Sequence, residues 1–161
     1  MSKSLVFMRD VICRYHPSFK ASPDLQKFGL EMPERFNIER LIEETLAKVG
    51  NMQFVDADGY DYLPCYSDCK TTTININTRV GTVSGVETKI GALRITAYNP
   101  FKDAADFFYV SKRDLQYVKS PCYGVNSHKE RILFTYSSKG DTYGMFEDYR
   151  VETFKELALA S

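Results

Sequence analysis

Long apolar runs are missing from this chain. No stretch approaches 18 consecutive apolar residues, so no transmembrane helix is expected. The opening residues hold an apolar run of four, Leu5 to Met8, before Arg9 and Asp10. That is too short for a signal-peptide core, and a cytoplasmic protein is expected. Cysteine is scarce: Cys13, Cys65, Cys69 and Cys122 fall at irregular spacing and read as free thiols, not as a disulfide framework. With His16 and His128 they lack the paired short spacings that mark a zinc site. There is no surplus of positive charge either. Lys plus Arg equals Asp plus Glu at 21 each, which excludes a protein that coats nucleic acid by charge alone but allows an enzyme with a local cleft. Internal repeats and low-complexity stretches are also absent.

What is present is a globular composition, 43% hydrophobic over 161 residues, enough for one domain with a real core. The expected organisation is a single domain over 1–161: a helical part to about residue 50, a sheet over about 51–137 and a final helix over about 149–160. Leu5, Met8, Val11, Ile12 and Tyr15 recur at helical spacing and stop before Pro17. Ser22-Pro23-Asp24, with Gly29 as the stop, reads as a short helix or turn. Asn37 is expected to cap a stronger helix whose stripe is Ile38, Leu41, Ile42, Leu46 and Val49, with Glu39, Glu43 and Glu44 at its sides or back and Gly50 as its end.

The pattern then turns extended. Met52–Val55, Tyr60–Leu63, Tyr66–Asn77, Leu93–Tyr98, Asp106–Val110 and Arg131–Tyr136 read as strands. Asp58-Gly59 and Pro64 mark turns, and residues 78–90, with Gly81, Gly85, Thr and Ser, read as a hairpin tip or mobile loop. Tyr149 to Leu159 closes the chain as an amphipathic helix. Helices before and after a mixed sheet imply an α/β fold.

The charge is unevenly placed. The eighteen residues from Asn51 to Asp68 contain Asp56, Asp58, Asp61 and Asp68 and no Lys or Arg. Carboxylates this dense repel one another, and a hard divalent cation with oxygen ligands is the usual relief. Asp68 opens a polar strand, Asp68-Cys69-Lys70-Thr71, in which residues two apart share a face, so Asp68 and Lys70 project together. An upstream acid on the neighbouring strand can reach the same face. A short hairpin would bring Asp61, a longer turn Asp58, and Asp56 lies further back.

Two carboxylates that hold magnesium, with a lysine beside them, are what phosphodiester hydrolysis requires: a polarised phosphate and a cation for the charge of the pentavalent transition state. The bland alternative is a surface ion pair worth about 0–1 kcal/mol, with the other aspartates capping turns. A second acid-x-Lys triplet, Glu87-Thr88-Lys89, lies in the glycine-rich stretch without clustered acids upstream. It is the alternative catalytic triplet; otherwise it reads as solvated surface or as a groove-probing element.

Asp58 or Asp61, followed by Asp68-Cys69-Lys70-Thr71, resembles the PD-(D/E)xK nuclease motif as small type II restriction endonucleases use it. The Asp-x6-Asp-x-Lys-Thr spacing is also similar to the mismatch-repair nicking endonuclease. The likeness runs from Asp56 to about Tyr117, through Tyr98-Asn99-Pro100, the apolar strand Asp106–Val110 and Ser111-Lys112-Arg113-Asp114-Leu115. This chain lacks the proline before the first acid and has Asp where Glu is commoner in the triplet.

The resemblance implies a restriction-endonuclease-like central mixed β-sheet flanked by helices, double-stranded DNA as substrate, Mg2+ as cofactor and a homodimer reading a palindromic site. The metal ligands would be Asp61 or Asp58 with Asp68, and Lys70 the transition-state cation. Asn75, Asn77 and Arg79 would be base-contacting candidates, since Asn suits adenine and Arg guanine in the major groove, with Lys89 as a further DNA contact. The competing expectation is a catalytically silent nuclease-like module that binds DNA or a protein.

Overall fold

The computed structural model describes residues 34–102 and 104–161. The helices expected before residue 30, with Cys13 and His16, lie outside them. Helix α1 spans Glu34–Gly50, starting ahead of the expected cap at Asn37. Asn is only modestly unfavourable within a helix, so it need not begin one. Ile42 and Leu46 of the stripe are buried, with Ala47 buried beside them.

Nine strands follow: β1 Gln53–Ala57, β2 Tyr60–Leu63, β3 Asp68–Thr73, β4 Val80–Ser84, β5 Leu93–Asn99, β6 Ala104–Val110, β7 Lys119–Pro121, β8 Glu130–Thr135 and β9 Arg150–Val151. Two short helices, α2 (Lys112–Val118) and α3 (Phe154–Leu159), complete the fold. Asp58-Gly59 makes the expected turn, and β1 and β2 pair antiparallel around it with Ala57 opposite Tyr60.

The central sheet has the order β3-β5-β6-β9, with β3 and β5 parallel and the other pairs antiparallel. This is a mixed sheet in an α/β fold. Alternation along β5 and β6 divides the side chains between two cores. Tyr98 and Phe107 join Ile42, Leu46, Phe154 and Leu157 beneath the helices. Leu93, Ile95, Ala97, Phe108 and Val110 meet Val83, Ile132 and Phe134 of a second, antiparallel sheet of order β4-β8-β7. Each fully buried side chain such as Phe108 contributes on the order of 1.5–3 kcal/mol. Asp106 is the polar exception in β6; the Tyr143 hydroxyl, Lys102 Nζ at 2.6 Å and Arg150 Nε at 3.8 Å surround its carboxylate.

Two expectations are corrected. Residues 78–90 are not simply a loop, because strand β4 runs through them and pairs with β8. Glycine hid that strand: the Phe134 ring lies 2.5 Å from where a Cβ on Gly81 would be, so only glycine fits under it. The last helix is also shorter than Tyr149–Leu159. Residues Gly144–Tyr149 form 3-10 turns, and Arg150–Val151 pair with β6. Thr153 then caps α3 by accepting from the Glu156 amide at 3.0 Å. No helix among the described residues is long and apolar enough to cross a membrane.

Candidate active site

The site lies where β3 begins. Strand β3 is an edge of the central sheet, bonded to β5 on one side only, so the outward amides of its first residues need other partners. The backbone turns back after β2, where Tyr66 N donates to Tyr62 O at 2.9 Å and Asp61 N to Ser67 O at 2.9 Å. Asp61 is thereby drawn against β3, and its Oδ2 accepts from the Cys69 amide at 2.9 Å. Asp68 N donates to Ala92 O on the other side, which sets the parallel register. Gly91 allows that approach, since a Cβ there would sit 2.3 Å from Tyr66 O. Buried Arg94 braces the loop from below, donating to Ser67 Oγ at 3.0 Å and to Leu157 O at 2.5 Å.

Asp61 and Asp68 are both buried, at 6% and 3% exposure. Burial first, and then the charge of Asp68, push the Asp61 carboxyl up to about 6; the Cys69 amide opposes the rise. Asp68 Oδ2 lies 3.1 Å from Lys89 Nζ and 3.9 Å from Lys70 Nζ. The period-two expectation is met, with Asp68 and Lys70 on one face. These groups line a pocket of about 310 Å3, together with Thr82 and Ser84 of β4 and Glu39 and Glu43 of α1.

Glu39 and Glu43 were expected at the sides or back of their helix. They lie four residues apart, beside the buried Ile42–Leu46 stripe, and turn toward the pocket because that stripe packs against β2 and β3. Tyr62, whose hydroxyl donates to Glu43 O at 2.8 Å, ties the helix to the strand that carries Asp61. Burial, with Asp61 and then Asp56 adding repulsion against the pull of Arg40, pushes Glu43 up to about 7. An i, i+4 acid pair at the rim of an apolar stripe was the available signal for Glu43, but which acids it would meet is decided by tertiary packing.

Other expected site residues go elsewhere. Asp58 is exposed at the β1–β2 turn and does not line the pocket. Asp56 is exposed and paired with Arg40 at 3.3 Å. Of the second triplet, only Lys89 enters the pocket, because Glu87 Oε1 accepts from the Glu130 amide at 2.8 Å. Asn75 caps the β3–β4 turn through the amides of Asn77 and Thr78, at 2.8 and 2.9 Å. The Arg79 guanidinium donates to Tyr136 O at 2.6 Å, pairs with Asp141 at 3.5 Å and stacks 4.0 Å from the Phe101 ring. These three residues follow the far end of β3, whose five steps from Asp68 span roughly 16 Å. Cys65, Cys69 and Cys122 are free thiols.

Among the described residues, no three His, Cys, Asp or Glu side chains converge as a ready-made metal cage. The donor set nevertheless fits magnesium, which needs only one or two carboxylates and keeps water and phosphate as its other ligands. Two buried carboxylates, one of them driven toward protonation by burial and then by the charge of the other, are the electrostatic situation a hard cation relieves. No protein-family model, curated protein or solved structure matches this chain. The likeness to the PD-(D/E)xK nucleases therefore rests on the sequence motif alone.

Proposed function

We propose that this chain is a magnesium-dependent endonuclease that hydrolyses phosphodiester bonds of double-stranded DNA, sequence-specifically and as a cytoplasmic homodimer. The observation that supports this reading is the buried Asp61–Asp68 pair with Lys70 Nζ 3.9 Å from Asp68, all facing one pocket. Asp61 and Asp68 would hold the cation. Bound there, it would polarise the scissile phosphate and lower the pKa of water. Lys70 supplies positive charge to the equatorial oxygens as a water oxygen bonds to phosphorus and the P–O bond to the leaving oxygen breaks. Glu43 lines the same pocket, and its burial raises its carboxyl above the usual carboxylate range, so it is suited to take the proton that the attacking water loses.

Incubation of the protein with supercoiled plasmid and magnesium, resolved on a gel, tests the reading. Discrete linear fragments are expected, disappearing with chelator and returning with excess magnesium. A smear would indicate cleavage without sequence preference. Undiminished cleavage in chelator would remove the magnesium mechanism, and intact plasmid would favour the silent DNA-binding module.

A further inference from the structure

One carboxylate oxygen in the pocket, Asp68 Oδ2, has two ammonium groups beside it. Lys70 comes from the same strand, 3.9 Å away. Lys89 comes from outside the central sheet and is closer, at 3.1 Å. Its backbone is fixed from three sides: its amide donates to Val86 O at 3.2 Å, its carbonyl accepts from Lys112 Nζ at 2.6 Å, and the next amide, Ile90 N, donates to Gly59 O at 3.2 Å. The side chain is only 13% exposed. A lysine carried in from a separate element and anchored this firmly is more than an incidental surface pair. The oxygen it occupies is also one that a cation on Asp68 would need.

We infer that Lys89 is a built-in counter-ion for Asp68 that must release this oxygen before the pair can ligate a divalent cation, and that the released ammonium then faces the scissile phosphodiester as a second catalytic cation beside Lys70. The inference rests on the phosphodiesterase reading above. Charge balance explains both halves. Without a cation, Lys70 and Lys89 offset the charge of Asp68, while Glu39, Glu43 and Asp61 line the same pocket. Once a divalent cation takes over Asp61 and Asp68, the two ammonium groups lose their carboxylate partner, and a phosphodiester can supply the anion they then face. The lysine stem can make this move while the backbone stays anchored, because it rotates about four carbons. There is open space beside the Lys70 ammonium, since a Cβ on Gly85 would meet only Lys70 Nζ, at 3.6 Å.

The test is Lys89→Met in the full chain, with Lys70→Met and Lys89→Gln beside it. Magnesium titrated by calorimetry, without DNA, should bind Lys89→Met about tenfold tighter than wild type, the scale of removing one competing charge from a partly buried site. Magnesium-dependent plasmid cleavage should fall by about 100-fold or more in the same variant. Lys89→Gln should repeat both changes, since charge and not packing is responsible. Lys70→Met should lose cleavage with a smaller gain in cation affinity. A purely structural lysine would weaken binding and cleavage together, so unchanged or weaker magnesium binding by Lys89→Met overturns the counter-ion role. Wild-type-like cleavage by that variant overturns the catalytic role. A wild-type protein that leaves DNA intact would sink the nuclease reading instead, and the titration would still decide the counter-ion.

Discussion

Lys70→Ala and Asp68→Asn are each expected to lower magnesium-dependent cleavage by about 100- to 1,000-fold while the protein stays folded. That scale is the usual cost of removing one group that stabilises transition-state charge. Lys70 is a quarter exposed and its ammonium stands 3.9 Å from Asp68, so truncation removes little packing. Asp68→Asn keeps the shape of the side chain but removes the charge that a cation would need. It also leaves Lys89, 3.1 Å away, without its partner, so a modest loss of melting temperature is expected. Single-turnover cleavage rates beside thermal melts measure both. Cleavage within fivefold of wild type in either variant would show that the acid-x-Lys pair is a structural ion pair.

The second large effect is an inverted dependence of stability on pH. Glu43 is pushed from 4.5 up to about 7, and Asp61 from 3.8 up to about 6. In both cases burial is the leading cause. For an acid whose folded pKa lies above its unfolded one, the native state binds more protons between the two values. Its contribution to stability is fully present below the unfolded pKa and is lost as pH rises through the folded one. In chelator, the melting temperature should therefore fall as pH rises from about 4 to about 7 through these two groups. Glu43→Gln and Asp61→Asn should each flatten part of that slope. Magnesium should restore stability at the alkaline end, because a ligand that binds only the folded state stabilises it by mass action. Melting curves across that range in chelator and in magnesium measure the effect. A rising curve in chelator, unaltered by either substitution, would contradict the electrostatic account of the pocket.

The parts of the site that were legible in the sequence are those set by local geometry. Asp68 and Lys70 share a face because strand side chains alternate, and the turn at Asp58-Gly59 follows from the residues that make turns. The α/β class followed from the change of period near residue 51. Legibility stopped where distant elements meet. Asp61 reaches Asp68 not across a paired hairpin but by accepting the Cys69 amide on an open sheet edge. Glu43 joins them through the docking of α1, and Lys89 through a turn that follows a strand hidden by glycine. For Arg79 both base reading and plain surface contacts were open in the sequence, and the fold adds what spacing could not, that its guanidinium meets Tyr136, Asp141 and Phe101. Propensity and spacing record which residues are near in the chain; they do not record which partner will claim a long side chain.

The central claim is that the buried pair of Asp61 and Asp68 forms the cation site, and calorimetric titration of magnesium into wild type, Asp61→Asn and Asp58→Asn tests it most directly. Asp61 is buried against the Cys69 amide, whereas Asp58 is exposed at a turn outside the pocket. Binding should therefore disappear in Asp61→Asn and persist in Asp58→Asn. Loss of binding in Asp58→Asn alone, or binding that survives in Asp61→Asn, would contradict the account.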